Sequence, residues 1–172
     1  MSRKGGLRNV LVRVKSGLPD AHWTVPVTVV KLDQVGCIYQ PHVLALMAGQ
    51  KLEISNSDSL NHNVHAEAIA NQAFNVLQPP RAEKLLRQFD RQEIMVPLTC
   101  GVHAWMRAYL SVLDHPFFAV TDEDGDFKIG SLPPGNYVLE AVHEKFGQQE
   151  RPFTVTAKSR AAVDFAYTES SR

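Results

Sequence analysis

Apolar residues alternate with polar ones along most of this chain. In "RNVLVRV", Val10, Val12 and Val14 fall on one face, the period-two pattern of a half-buried strand. "VPVTVV" follows, with Pro26 marking an edge or strand-start position. "QKLEISN" sets Leu52 and Ile54 against Lys51, Glu53 and Ser55. "EIMVPLTC" places Ile94, Val96, Leu98 and Cys100 on a common face, and "RAYLSVL" does the same for Ala108, Leu110 and Val112. Beyond them, "DFKIG", "NYVLEAV", "PFTVTA" and "AAVDFAY" read as short strands split by the turn signals "DEDG" and "PPG". Residues 67–82 carry no strand pattern and are expected to hold a short helix or an ordered loop. Short strands punctuated by turns predict an all-β protein, a sandwich or barrel.

Composition narrows the options only a little. The 172 residues suffice for one large domain or two small ones. Lys+Arg and Asp+Glu both number 18, so no charge bias points to nucleic acid or a membrane surface. No apolar run approaches the roughly 18–20 residues of a spanning helix. The start, "MSRKGGLRNV", lacks the apolar core of a signal peptide. A cytosolic protein is expected, or an exported one whose signal has been removed or replaced. Two cysteines are too few for a disulfide framework.

The chemistry concentrates in "CGVHAWM", where Cys100, His103 and Met106 stand at C-x2-H-x2-M. Strand parity points Cys100 inward, where a cysteine is commonly just a small hydrophobe. The loop behind it adds an imidazole and a thioether, and thiolate, imidazole and weak thioether together suit copper. A fourth ligand is expected from another strand. "NSDSLNHNVHA" offers His62 and His65. In an extended chain residues three apart face opposite ways. His62 shares the apolar face of Val64, so it is the expected ligand; His65 is expected to be a polar outer-face residue.

"NHNVHA" followed some forty residues later by "CGVHAWMR" resembles the cupredoxins, the type 1 blue copper proteins. The loop spacing is similar to that of amicyanin, their short-loop member. "CIYQPHVLALMAGQKLEISNSDSLNHNV" also resembles the family's strand run: an extended segment with a proline, a Gly-led turn, then a strand ending in "N-x-D". The likeness covers residues 27–114 and implies a Greek-key β-sandwich. Carried over by position, it makes His62, Cys100, His103 and Met106 ligands of one type 1 copper. Asn63 would tie the two ligand loops together and help fix the thiolate. His103 would be the electron port, with Ala104 and Trp105 in an apolar docking patch for a redox partner protein; Trp105 is alternatively a core aromatic. Such a site is full, without the open position that substrate chemistry needs, and the chain has no H-x-H pair. The resemblance thus implies a non-enzymatic electron carrier cycling Cu(I)/Cu(II), exported to the periplasm or another extracytoplasmic space. Two departures bear on the site. Asn61 stands where the family often has proline, and Val102 and Ala104 where amicyanin-like loops have prolines. Those positions therefore keep backbone N–H groups that proline lacks.

"AVTDEDGDFKIGSLPPGNYVLEAVHE" resembles a second family, the carboxypeptidase regulatory-like, transthyretin-type β-sandwich modules. Here the likeness covers residues 115–168. Asp122, Asp124 and Asp126 lack the rest of a calcium loop and read as a hairpin turn. In such modules a strand like "RNVLVRV" precedes the hairpin. Residues 8–15 are therefore expected to complete the C-terminal module, with the cupredoxin inserted between them; an edge strand added to the cupredoxin is the alternative. Other readings stay open: copper as cargo, or a metal-free structural module with a Cys37–Cys100 disulfide. A second metal site using Cys37, His42, His65, His115 or His143 is a further possibility, and His22 reads as solvated.

Overall fold

The structure, a computed structural model, describes residues 5–168. Among these residues there is no helix, so none is long and apolar enough to cross a membrane. The strands in chain order are β1 (Leu11–Ser16), β2 (Val30–Gln34), β3 (Tyr39–Gln40), β4 (Val43–Met47), β5 (Lys51–Asn56) and β6 (His62–Ala66). They continue with β7 (Phe74–Gln78), β8 (Leu85–Gln88), β9 (Glu93–Thr99), β10 (Arg107–Leu113), β11 (Phe118–Val120), β12 (Gly135–His143) and β13 (Gly147–Val155). The protein is all-β.

The chain divides into two compact units. Trp23–Pro116 form one, and the segments up to His22 and from Phe117 onward form the other. In the second of these, one sheet runs β11-β1-β12-β13. The N-terminal strand lies inside it, Leu11 opposite Val120 on one side and Val142 on the other. Leu11, Val12 and Val14 are fully buried there. Arg13 and Lys15 reach the buried Glu140 carboxylate at 2.7 Å each. Desolvation alone would raise the Glu140 carboxyl, but the hydrogen bonds from Lys15 and Arg13 outweigh it and hold the group below its usual range.

The Trp23–Pro116 unit is a sandwich of two sheets, β4-β10-β9-β6-β7 over β3-β2-β5-β8. Leu32, Leu52 and Ile54 from one sheet meet Leu46, Val64, Leu98, Leu110 and others from the second in a single apolar core. Two strand pairs are parallel, β2 with β5 and β4 with β10. The parallel β2–β5 register runs from Val30↔Leu52 to Gln34↔Asn56. It brings the two loops that follow these strands side by side.

Several expected elements differ. "VPVTVV" is not a strand, which begins only at Val30. Pro26 offers no N–H, and Val27 is 97% exposed, so nothing covers the face that the pattern suggested. Residues 67–82, expected to hold a helix or loop, contain strand β7, paired with β6 from His62↔Gln78 to Ala66↔Phe74. "DFKIG" and "AAVDFAY" lie outside every ladder. In β9 the alternation breaks at Met95, which has a positive φ of 57°. That bulge sets Glu93, not Ile94, opposite Val112. Ile94 thus leaves the face it was expected to share with Val96 and Leu98.

Candidate metal centre

His62 opens β6. Residues 62, 64 and 66 of that strand point into the sandwich, and His62, Val64 and Ala66 are all 0% exposed. Cys100 follows β9 and is 5% exposed. The turn back into β10 is closed by two backbone bonds. The Met106 N–H donates to the His103 carbonyl at 3.0 Å, and the Cys100 N–H to the Met106 carbonyl at 3.3 Å. These bonds place Cys100 and Met106 across from each other at the mouth of the β9–β10 hairpin. His103 stands between them on the loop, and Met106 is buried.

These elements bring three donors together. A ring nitrogen of His62, one of His103 and the Cys100 sulfur all lie within 4.8 Å of one another. The two Nδ1 atoms face each other at 3.0 Å. On its far side, His62 Nε2 lies 2.8 Å from Asp58 Oδ2. A carboxylate only accepts, so Nε2 carries the proton there. In a neutral ring that leaves the His62 Nδ1 lone pair aimed at His103 and Cys100. Carboxylate–histidine pairs of this kind fix tautomer and ring orientation at metal sites.

Asp58 is itself held on three sides. Its carboxylate accepts from the Gly36 N–H at 2.7 Å and the Cys37 N–H at 2.9 Å besides His62. The Cys37 N–H foremost, against some desolvation, and with help from Gly36 and His62, keeps the Asp58 carboxyl below its ordinary range. Gly36 and Asp58 continue the β2–β5 pairing past its last ladder residues, with the carboxylate taking the place of a backbone acceptor. Cys37 sits there at φ 56°, a left-handed conformation uncommon for a side chain of this kind.

Asn63 joins the two ligand segments. β6 and β9 pair at His65↔Thr99 and Ala66↔Leu98. The same register sets Asn63 opposite Gly101, where the ladder has ended. The Gly101 N–H donates instead to Asn63 Oδ1 at 2.5 Å, and Asn63 Nδ2 donates to Asn75 on β7 at 2.6 Å. The Tyr39 hydroxyl lies 2.5 Å from the Asn63 carbonyl and 3.0 Å from the Thr99 carbonyl. Burial first, and then the adjacent Cys100 thiol, push that hydroxyl well above its usual range.

The remaining candidates fall apart from this group. His65 points outward, its side chain 42% exposed beside Glu67. His42 Nδ1 lies 3.0 Å from the Arg107 carbonyl. His143 packs on Phe146 and Tyr167 in the other unit. Neither these residues nor His115 enters a ligand group among the described residues. Ala104 and Trp105 are exposed, Trp105 at 67%, with its ring 5.1 Å from that of His103. Its indole N–H donates to the Cys37 carbonyl at 3.0 Å. Trp105 is not a core residue. Cys37 and Cys100 form no disulfide. Sequence reasoning met Asp58 only as the end of the "N-x-D" strand and gave neither it nor Tyr39 a role, although Asp58 stands four residues before His62 in "DSLNH".

Residues 107–168 match the model of the carboxypeptidase regulatory-like domain. No curated protein matches the chain. Among solved structures, the chain is similar to the copper-containing nitrite reductase of Thermus scotoductus SA-01, at 17% identity and a TM-score of 0.46. That match covers 56% of this chain but only 25% of the reductase. A purple cupredoxin from Nitrosopumilus maritimus matches at 17% identity and TM-score 0.41, over 48% of this chain and 98% of its own. Amicyanin from Paracoccus versutus matches at 21% and 0.44, over 59% and 96%.

The parity argument for the histidines has a direct check. His62→Ala removes a donor from the buried group and is expected to weaken copper binding by more than the ~10–100-fold that losing an outer partner costs. His65→Ala takes away an exposed side chain whose ion pair is worth little, so the copper spectrum stays as in the parent. Copper titrations of both variants read this out. Greater damage from His65→Ala would show the face assignment of β6 to be wrong.

Proposed function

We propose that the chain is an electron-transfer protein that holds one type 1 copper ion on His62, Cys100, His103 and Met106. The observation that carries this reading is the pair of Nδ1 atoms facing each other at 3.0 Å, with the Cys100 thiol in the same buried group. Two nitrogens in that arrangement have one proton to share, and a cation takes its place. The donor set fits copper: two imidazoles, one thiol, and a methionine on the same short loop. When bound, the ion supplies a one-electron Cu(I)/Cu(II) couple.

The chain's own residues hold the donors still. Asp58 fixes the His62 ring, Asn63 pins Gly101 beside Cys100, and the Met106–His103 bond closes the loop. A site enclosed in this way reorganises little when charge changes, which suits a carrier rather than an enzyme. His103 is half-buried, flanked by the exposed Val102, Ala104 and Trp105, a surface suited to a redox partner protein. We place the carrier outside the cytoplasm, where copper-thiolate carriers resembling it work.

Voltammetry of the copper-loaded protein tests the function. A reversible one-electron wave is expected. Met106→Leu is expected to keep it and shift it upward, because losing a weak thioether donor would destabilise Cu(II) more than Cu(I). The shift should be on the order of the ~59 mV that a tenfold change in relative affinity represents for one electron. Copper that exchanges freely with small chelators and gives no reversible wave would make the ion cargo instead.

A further inference from the structure

His62 belongs to two donor groups. Besides Cys100 and His103, it lies with Cys37 and Asp58 in a second set whose sulfur, oxygen and ring nitrogen are all within 4.8 Å of one another. The two sets differ in access. In the inner set Cys100 and His62 are buried and His103 alone is half-buried, whereas in the outer set Cys37 is half-buried and the Asp58 side chain is 15% exposed. Each of the three outer residues comes from a different segment: the loop after β2, the loop after β5 and the start of β6. The extended β2–β5 register and the three bonds to Asp58 hold them together.

We propose that Cys37, Asp58 and His62 form an outer station where Cu(I) is first captured before it reaches the inner site. Both the soft thiolate and the imidazole suit Cu(I), the thiolate alone neutralises its charge, and Asp58 adds a weaker oxygen donor. A neutral imidazole offers one lone pair at a time, so the shared ring makes the two groups alternatives in sequence rather than two sites filled together. Capture forms bonds from Cys37 sulfur and His62 Nε2 to Cu(I) and releases the thiol proton to solvent. It shifts the ring proton from Nε2 to Nδ1, where it faces His103. Transfer forms the bonds to Cys100 sulfur and His62 Nδ1 and breaks those to Cys37 sulfur and His62 Nε2. The Cys100 proton ends on Cys37, and the ring proton returns to Nε2 beside Asp58. The copper stays Cu(I) throughout, so the step needs no oxidant or reductant. The Trp105 indole bond to the Cys37 carbonyl links this turn to the loop that carries His103.

This inference rests on the copper reading above, and its test is kept separate from it. The apo full-length protein is mixed with Cu(I)–bicinchoninate, and the loss of the chelate's absorbance is followed in time. Cys37→Ser, and independently Cys37→Ala, are expected to slow copper uptake about tenfold or more, the scale on which a lost metal partner is felt. After oxidation the loaded variants should show the parent's spectrum and stoichiometry. Uptake as fast as in the parent would overturn the station. A loaded variant with an altered final spectrum would overturn it too, because Cys37 would then be a permanent ligand. Rates are compared whether or not the oxidised protein is coloured, so lack of colour counts against the type 1 assignment alone.

Discussion

Cys100→Ser is expected to give a protein that folds, retains weak copper affinity and shows no intense visible colour. The colour of a copper–thiolate site arises from charge transfer out of the sulfur, and no other sulfur in the inner group can supply it. Met106 is a thioether and a weak donor, and Cys37 lies on the far side of His62, with Asp58. The substitution places a hydroxyl at a site that is 5% exposed. An unpaired buried hydroxyl costs about 1–3 kcal/mol, tolerable for a domain with ~5–15 kcal/mol of stability. Cys100→Ala avoids even that cost and should be equally colourless. Thermal unfolding of the apo forms separates loss of the ligand from loss of the fold.

Deleting residues 1–18 is expected to unfold the C-terminal unit while leaving the copper spectrum intact. The deletion removes β1, an interior strand with ladder partners on both sides. Three fully buried apolar side chains go with it, Leu11, Val12 and Val14. At about 1.5–3 kcal/mol each, their loss is comparable with the whole stability of a small domain. Glu140 also loses Lys15 and its buried partner Arg13, and breaking a buried pair such as Arg13–Glu140 costs roughly 3–5 kcal/mol. The donors and every bond described around them lie within Trp23–Pro116. We therefore propose that the copper-binding unit is inserted in the other, whose two segments close the sheet on either side of it. Limited proteolysis should cut first beyond Phe117. Loss of colour with an intact C-terminal segment would refute the insertion.

Part of this molecule is legible from local pattern. The inward face of β6 could be read because one side of that strand is apolar and its period is two, which separates His62 from His65. The short loop from Cys100 to Met106 could be read from spacing alone. Other features depend on contacts between distant segments. Nothing near Cys37 announces that it lies beside Asp58; that follows from the parallel register of β2 on β5. Met95 looks like any strand residue, and only the partner strand shows that the ladder slips there. "FNVLQ" is a strand because β6 offers an edge to pair with, although its own alternation is weak. Asp58 was visible only as a strand-end residue, because an aspartate in a polar turn is ordinary until its carboxylate is seen meeting a histidine ring.

The central claim is that one copper sits on the Cys100 thiolate between His62 and His103. An optical titration of the apo protein with Cu(II) tests it most directly. The account predicts an intense visible band that saturates at one equivalent, bleaches with a reductant and returns on reoxidation. A protein that takes up copper without such a band, or keeps the band in Cys100→Ser, would contradict it.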